Sequence, residues 1–290
     1  MAAAELEQAV GRYASIDVAG ERARIYFEEA GSGPVLLCLH TAGADSRQFR
    51  YLLNDSEITR AWRVVAFDLP FHGRSQPLGT WWESPYRLQA AHYERIVLAV
   101  IEGLGLGRPV IMGCSMGGQI VLRLAAHHAD RIAGAIGIES AAYVTGRINE
   151  YLENPGIDRC ELAAGYTLGL CAPQSPEIYR RENAWYYAQG APGVYAGDLA
   201  FYGEPWDARA ELARVDTRAC PVALLTGEYD YSCLPEATRE AGALIPGAQV
   251  TIMPEIGHFP MIEHYQRFRE YVSPVLRDMR PHAAARYGVE

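Results

Sequence analysis

The sequence predicts an α/β domain built on a mostly parallel sheet. Three observations predict it: apolar runs too short for helices, amphipathic helical stretches between them, and the regular alternation of the two. At 290 residues the chain is long enough for one large domain carrying an insertion.

In chain order, two segments of alternating polar and apolar residues, 15–19 and 23–28, flank Gly20-Glu21 and read as an antiparallel hairpin. Four apolar runs follow, Val35–Leu39, Arg63–Phe67, 109–112 and 132–138, of the kind found in strands buried on both faces of a parallel sheet. Helical patterns occupy 86–104 and 115–128, the second with Ile120, Val121, Leu124 and Ala125 on one side. Two more apolar runs, 222–225 and Gln249–Met253, enclose a helix-like 236–244, and a last helix is expected over 261–279. The rhythm breaks between residues 142 and 206, where helix-like segments rich in aromatics replace it. The expected division is therefore a core of 1–141 and 207–290 with a helical cap over 142–206. Most cap rings are expected to hold the cap together, with Trp185 and Tyr186 among those facing a cavity below.

The hydrophobic and charged fractions, 49% and 21%, are those of an ordinary globular protein. A net charge of −9 with no basic run argues against nucleic-acid partners. Cys38, Cys114, Cys160, Cys171, Cys220 and Cys233 show no C-x-x-C spacing, so neither a zinc site nor a disulfide framework is expected. The N-terminal segment lacks a basic region and carries Glu5 and Glu7, and no apolar stretch suits a bilayer span. The expectation is a cytoplasmic protein with no membrane partner, no metal and no cofactor.

The chemistry starts at Gly113-Cys114-Ser115-Met116-Gly117. Chance supplies Gly-x-Ser-x-Gly about once in ten chains of this composition, so context decides. Here an apolar run precedes the serine and a helix pattern follows it. A sharp strand-to-helix turn crowds the residues two before and two after the nucleophile, and Gly113 and Gly117 remove the Cβ atoms that would collide. The helix start places amide groups and the positive dipole end beside Ser115.

A serine hydroxyl needs a base, and the base needs an orienting carboxylate. His258, in a loop between the run Gln249–Met253 and the last helix, is the candidate base. His92, His127, His128 and His282 lie in polar helical or terminal stretches, and His264 within the last helix. For the acid, Asp230 after the run 222–225 fits the order Ser, Asp, His, while Glu139 at the end of 132–138 is a rival.

These residues resemble the α/β-hydrolase superfamily. His40-Thr41-Ala42-Gly43 looks like that family's His-Gly oxyanion loop, and Asp68-Leu69-Pro70-Phe71-His72-Gly73-Arg74-Ser75 is similar to its Asp-x-Pro-Gly-His-Gly-x-Ser element. Residues 113–118, 227–230 and Gly257-His258-Phe259 complete the order. The resemblance implies an α/β-hydrolase fold with an oxyanion hole made by the backbone amides of Met116 and Ala42. Thr41 and Phe71 stand where the family usually has Gly, which leaves Thr41 as the alternative second donor. Some lactone hydrolases of the family use a glutamate placed like Glu139.

The expected function is hydrolysis of a carboxylic ester or lactone of an apolar, ring-containing small molecule through an acyl-serine. Thr41, Trp81, Trp82, Trp185 and Tyr186 are the expected substrate contacts. Carbon–carbon cleavage of a ring-fission β-diketone is the alternative, because enzymes of that group resemble this chain in Ser115-Met116-Gly117-Gly118. A non-catalytic ligand receptor on the same fold is a third reading. Epoxide hydrolases and dehalogenases are excluded, since their chemistry needs an aspartate at the position of Ser115.

Overall fold

The computed structural model describes residues 4–145, 149–154, 156–203 and 206–284. Its centre is an eight-stranded sheet: β1 (Val10–Val18), β2 (Glu21–Ala30), β3 (Val35–Leu39), β4 (Arg63–Phe67), β5 (Val110–Cys114), β6 (Gly134–Ile138), β7 (Val222–Gly227) and β8 (Gln249–Met253). The spatial order is β1-β2-β4-β3-β5-β6-β7-β8. β1 pairs antiparallel with β2 and β2 with β4, and every later pairing is parallel.

Strands β3, β5 and β6, and β4 after Arg63, are apolar along their length because both faces of the sheet are covered. Alternate residues enter two separate cores. Leu37, Leu39, Val65, Phe67 and Ile111 face α1 (Ala90–Gly103) and α2 (Met116–His127). Leu36, Cys38, Val64, Val110 and Met112 face the opposite layer, which includes Phe268, Val272 and Leu276 of the C-terminal helix. Each Leu, Ile or Val buried this fully contributes about 2 kcal/mol of apolar transfer.

Between β6 and β7 the chain leaves the sheet. It forms α3 (Arg159–Leu170), α4 (Glu177–Ala188) and α5 (Val194–Leu199), with Asp158 capping α3 through bonds of 2.9 and 3.0 Å to the amides of Cys160 and Glu161. A two-stranded antiparallel ribbon, Tyr143–Val144 with Trp206–Asp207, closes the base of this excursion. After β7 come α6 (Pro235–Leu244) and, past β8, a short turn Pro260–Glu263 and α7 (Tyr265–Ala284). The single helix expected over 261–279 is thus two, broken at His264, whose extended φ of −156° cannot continue a helix. No helix among the described residues is long and apolar enough to cross a membrane.

The parallel register aligns the carboxyl ends of the strands. Leu39 stands opposite Gly113, Cys114 opposite Ile138, Ile138 opposite Leu225, and Gly227 opposite Met253. Successive strands run outward in opposite directions from β3 and β5, so the crevice beyond these two ends is the topological switch point where α/β sheets bind ligands.

Candidate active site

Ser115 occupies that crevice. It joins β5 to α2 in one residue, with φ 56° and ψ −118°, and its amide donates to the carbonyl of Ile138 at 2.9 Å. A positive φ at a non-glycine residue costs about 1–3 kcal/mol and persists only where surroundings enforce it. The enforcement is visible. A Cβ on Gly113 would stand 2.5 Å from the backbone of Gly117, and one on Gly117 would stand 2.7 Å from the carbonyl oxygen of Leu39. The glycines let α2 press against β3 and β5.

On the other side of the switch point, the loop after β3 has most of its amides engaged. The Thr41 amide donates to Gln48 Oε1 at 3.1 Å and the Gly43 amide to Asp198 Oδ2 at 2.6 Å. The amides of Ala42 and Met116 carry no hydrogen bond among the described residues. Of the two second donors considered, Thr41 is therefore occupied and Ala42 is available. His40 is a buried brace: its Nδ1 contacts the Thr41 carbonyl at 2.8 Å and its Nε2 accepts from Leu69 at 3.1 Å. Burial, helped by the charge of His72, lowers its pKa to about 4 and keeps it neutral. Phe71 keeps the backbone of the glycine it replaces, at φ 74°, and stacks on Tyr86 with ring centroids 4.3 Å apart.

The third part is the loop after β8. His258 Nδ1 lies 2.7 Å from Asp230 Oδ2, and both residues are buried. Asp230 also accepts the amides of Ser232 and Cys233 at 2.7 and 3.0 Å. Burial pushes its carboxyl up, but the His258 charge and hydrogen bond outweigh this and hold it below the usual carboxylate range. An ionised Asp230 fixes the proton on Nδ1, and Nε2 carries no hydrogen bond among the described residues. The loop rests on the helical excursion: the His258 amide donates to the Leu170 carbonyl at 3.1 Å, and buried Glu263 accepts the amides of Gly257 and Ala172. Burial raises the Glu263 carboxyl to about 7.

Glu139 follows β6 at φ 51° and is fully buried. Its Oε1 accepts the Gly227 amide at 2.9 Å, and burial raises its pKa well above the carboxylate range. The structure thus places both candidate acids beside His258: one atom from each of the three lies within 4.8 Å of the others.

Ser115, His258, Thr41 and Ala42 line one cavity of about 680 Å³. Its walls include leucines, Phe259 and six tyrosines (Tyr151, Tyr166, Tyr187, Tyr195, Tyr202 and Tyr231), with Asn149, Glu150, Thr167 and Ser232 as polar members. Tyr187 reaches across to Thr41, hydroxyl to hydroxyl at 2.5 Å. The other expected contacts lie elsewhere. Trp81, Trp82 and Trp185 are 51%, 67% and 62% exposed and outside the cavity wall. Tyr186 is buried but turns its hydroxyl to Glu182 and Arg50. The expectation that some cap rings face the cavity does not say which, because tyrosines recur through 142–206 without a period that marks the inner face, and Tyr231 lies outside that stretch. Asp198 has no sequence signal either, since a short helix does not show which of its residues is buried.

Known proteins similar to this chain bear on its fold and family. A family model described as alpha/beta hydrolase fold matches residues 34–265. A pimeloyl-[acyl-carrier protein] methyl ester esterase of Neisseria meningitidis is 26% identical over 82% of this chain and 93% of its own. A 2-hydroxymuconate semialdehyde hydrolase of Pseudomonas putida is 24% identical over 93% of this chain and 95% of its own. A thermophilic esterase from Thermogutta terrifontis superposes with a TM-score of 0.79 at 22% identity, over 93% of this chain and 99% of that one. With the family model spanning most of the chain and all of the crevice, this chain belongs to the α/β-hydrolase family.

Proposed function

We propose that this hydrolase cleaves a carboxylic ester or lactone of an apolar, ring-containing small molecule through an acyl-enzyme on Ser115. The observation that carries the reading is His258: one ring nitrogen is held by Asp230 at 2.7 Å while the other is bare, and the ring shares a cavity wall with Ser115. His258 Nε2 takes the Ser115 proton as the oxygen attacks the substrate carbonyl. The amides of Met116 and Ala42 receive the oxyanion, and each such donor contributes about 10²–10³ in rate. His258 then protonates the departing alkoxide, and a water activated by the same nitrogen releases the acid. Residues 142–206 act as a cap whose tyrosines and leucines select the substrate.

A second reading, hydrolysis of a carbon–carbon bond in a β-diketone, is supported by the similarity to the Pseudomonas putida hydrolase along 93% of this chain. A panel of aryl esters, lactones and β-diketones separates the two. Ester or lactone turnover with an acyl mass adduct on Ser115 is the expected result, and faster diketone turnover without that preference would reverse the order.

A further inference from the structure

We propose that Glu139 is a positioning residue: as a neutral carboxylic acid it donates a hydrogen bond to Asp230, so that two carboxyl groups share one proton behind His258. The proposal rests on the Ser115 hydrolysis reading for its kinetic consequences, but its structural basis is independent. Glu139 Oε2 is buried and has no donor partner among the described residues. The Gly227 amide is spent on Oε1, and the His258 Nδ1 proton is given to Asp230. One carboxylate oxygen of Glu139 lies within 4.8 Å of one of Asp230. Two buried carboxylates at that separation do not both ionise.

Asp230 keeps the charge because it faces the imidazole and two backbone amides, whereas Glu139 faces one amide. The proton therefore sits on Glu139, and its O–H has the Asp230 carboxylate as acceptor. The orphan oxygen is then satisfied, and Asp230 gains a fourth hydrogen bond. The positive φ of Glu139 fits this role, since strain that folding alone does not need collects at functional sites.

The other titratable groups facing the pair are Cys114 on β5, Cys233 and Tyr231 beside Asp230, and Glu263 beyond His258. Burial pushes the Cys114 thiol well up, and burial likewise raises Tyr231, so neither adds charge at neutral pH. Two consequences follow. The donor tempers the basicity of Asp230 toward the His258 ring. Glu139 is also a reserve acid: with Asp230 neutralised it can ionise and face the ring itself.

The test compares Glu139→Gln, Glu139→Met, Asp230→Asn and the double variant Asp230→Asn/Glu139→Gln, with Ser115 ester turnover and infrared spectra as readouts. Gln keeps a donor for Asp230 and an acceptor for Gly227, so it should retain most of the turnover. Met removes the donor at similar size, which should lower kcat/KM about tenfold. It should also move the acid limb of the pH profile up by about half a unit or more, because a less satisfied Asp230 holds the His258 proton more tightly. Asp230→Asn should lose about 10²-fold, and the double variant the roughly 10⁴-fold expected when no carboxylate serves the histidine. The wild-type infrared spectrum should contain a protonated-carboxyl stretch that Glu139→Gln removes, whatever the substrate. An unchanged acid limb in Glu139→Met, equal losses in Asp230→Asn and the double variant, or no carboxyl stretch assignable to Glu139 would overturn the proposal. Lack of acylation at Ser115 in the wild type would instead overturn the hydrolysis reading and leave the infrared result standing.

Discussion

Two buried His–Asp pairs stand near the loop after β3, alike in their contact distance but different in what holds the second ring nitrogen. His258 and Asp230 meet at 2.7 Å, as do His72 and Asp198. In the second pair the remaining ring nitrogen of His72 is also occupied, by the Pro70 carbonyl at 2.9 Å. Both partners of His72 are acceptors, which favours the ring that carries both protons. Burial disfavours that charge, yet Asp198 outweighs the burial and the pKa of His72 is raised. Asp198 also takes the Gly43 amide at 2.6 Å and the Tyr86 hydroxyl at 2.8 Å, which ties α5 to the loop beside Ala42. The same pairing thus has its far nitrogen engaged at His72 and bare at His258, beside the cavity that Ser115 lines. On the proposed mechanism, His72–Asp198 holds α5 against the loop after β3, and His258–Asp230 supplies the acid–base chemistry.

The sharpest way to break the comparison is to remove each histidine. His258→Gln should lower kcat by about 10⁴-fold or more with little change in Tm. His72→Leu should do the reverse, leaving the Asp198 charge buried without its cation at a cost of about 3–5 kcal/mol, read as a Tm lower by roughly 10 °C. Comparable kinetic losses from the two would erase the distinction.

A smaller effect lies in pH. The folded pKa of His72 is above its unfolded value of about 6.5, so its contribution is fully present below that pH. It fades as pH rises through the raised folded value. The Tm gap between wild type and His72→Leu should therefore be widest near pH 6 and narrow in alkali. A gap that widens in alkali would contradict a charged His72.

The smallest effect is expected at Trp81→Ala and Trp82→Ala, both outside the cavity: KM should change less than about twofold, against a clear rise for Tyr187→Phe, which loses the bond to Thr41. A large KM change at either tryptophan would mean that the 680 Å³ cavity is not where substrate sits.

The Ser115 side of the candidate site is legible because its determinants are local. Five consecutive residues, an apolar run before them and a helix pattern after them specify the turn at Ser115. The acid side was legible only as a choice between Asp230 and Glu139. The choice dissolves because β6 and β7 are neighbours, with Ile138 opposite Leu225, so the residues that follow both strands arrive side by side. Neighbouring strands far apart in sequence leave no local signal of that kind. The second pair was less legible still. His72 and Asp198 are 126 positions apart, and nothing in the pattern of α5 distinguishes a buried aspartate from a solvated one. Trp81 and Trp82 show the converse error source, since large rings attract notice in a sequence whether or not the fold buries them.

The most direct test of the central claim is labelling of the folded protein with a fluorophosphonate, located by peptide mass. A single adduct on Ser115 is expected, formed much more slowly in His258→Gln and close to the wild-type rate in His72→Leu held below its melting temperature. No adduct on Ser115 in folded wild type, or equal slowing by the two histidine variants, would contradict it.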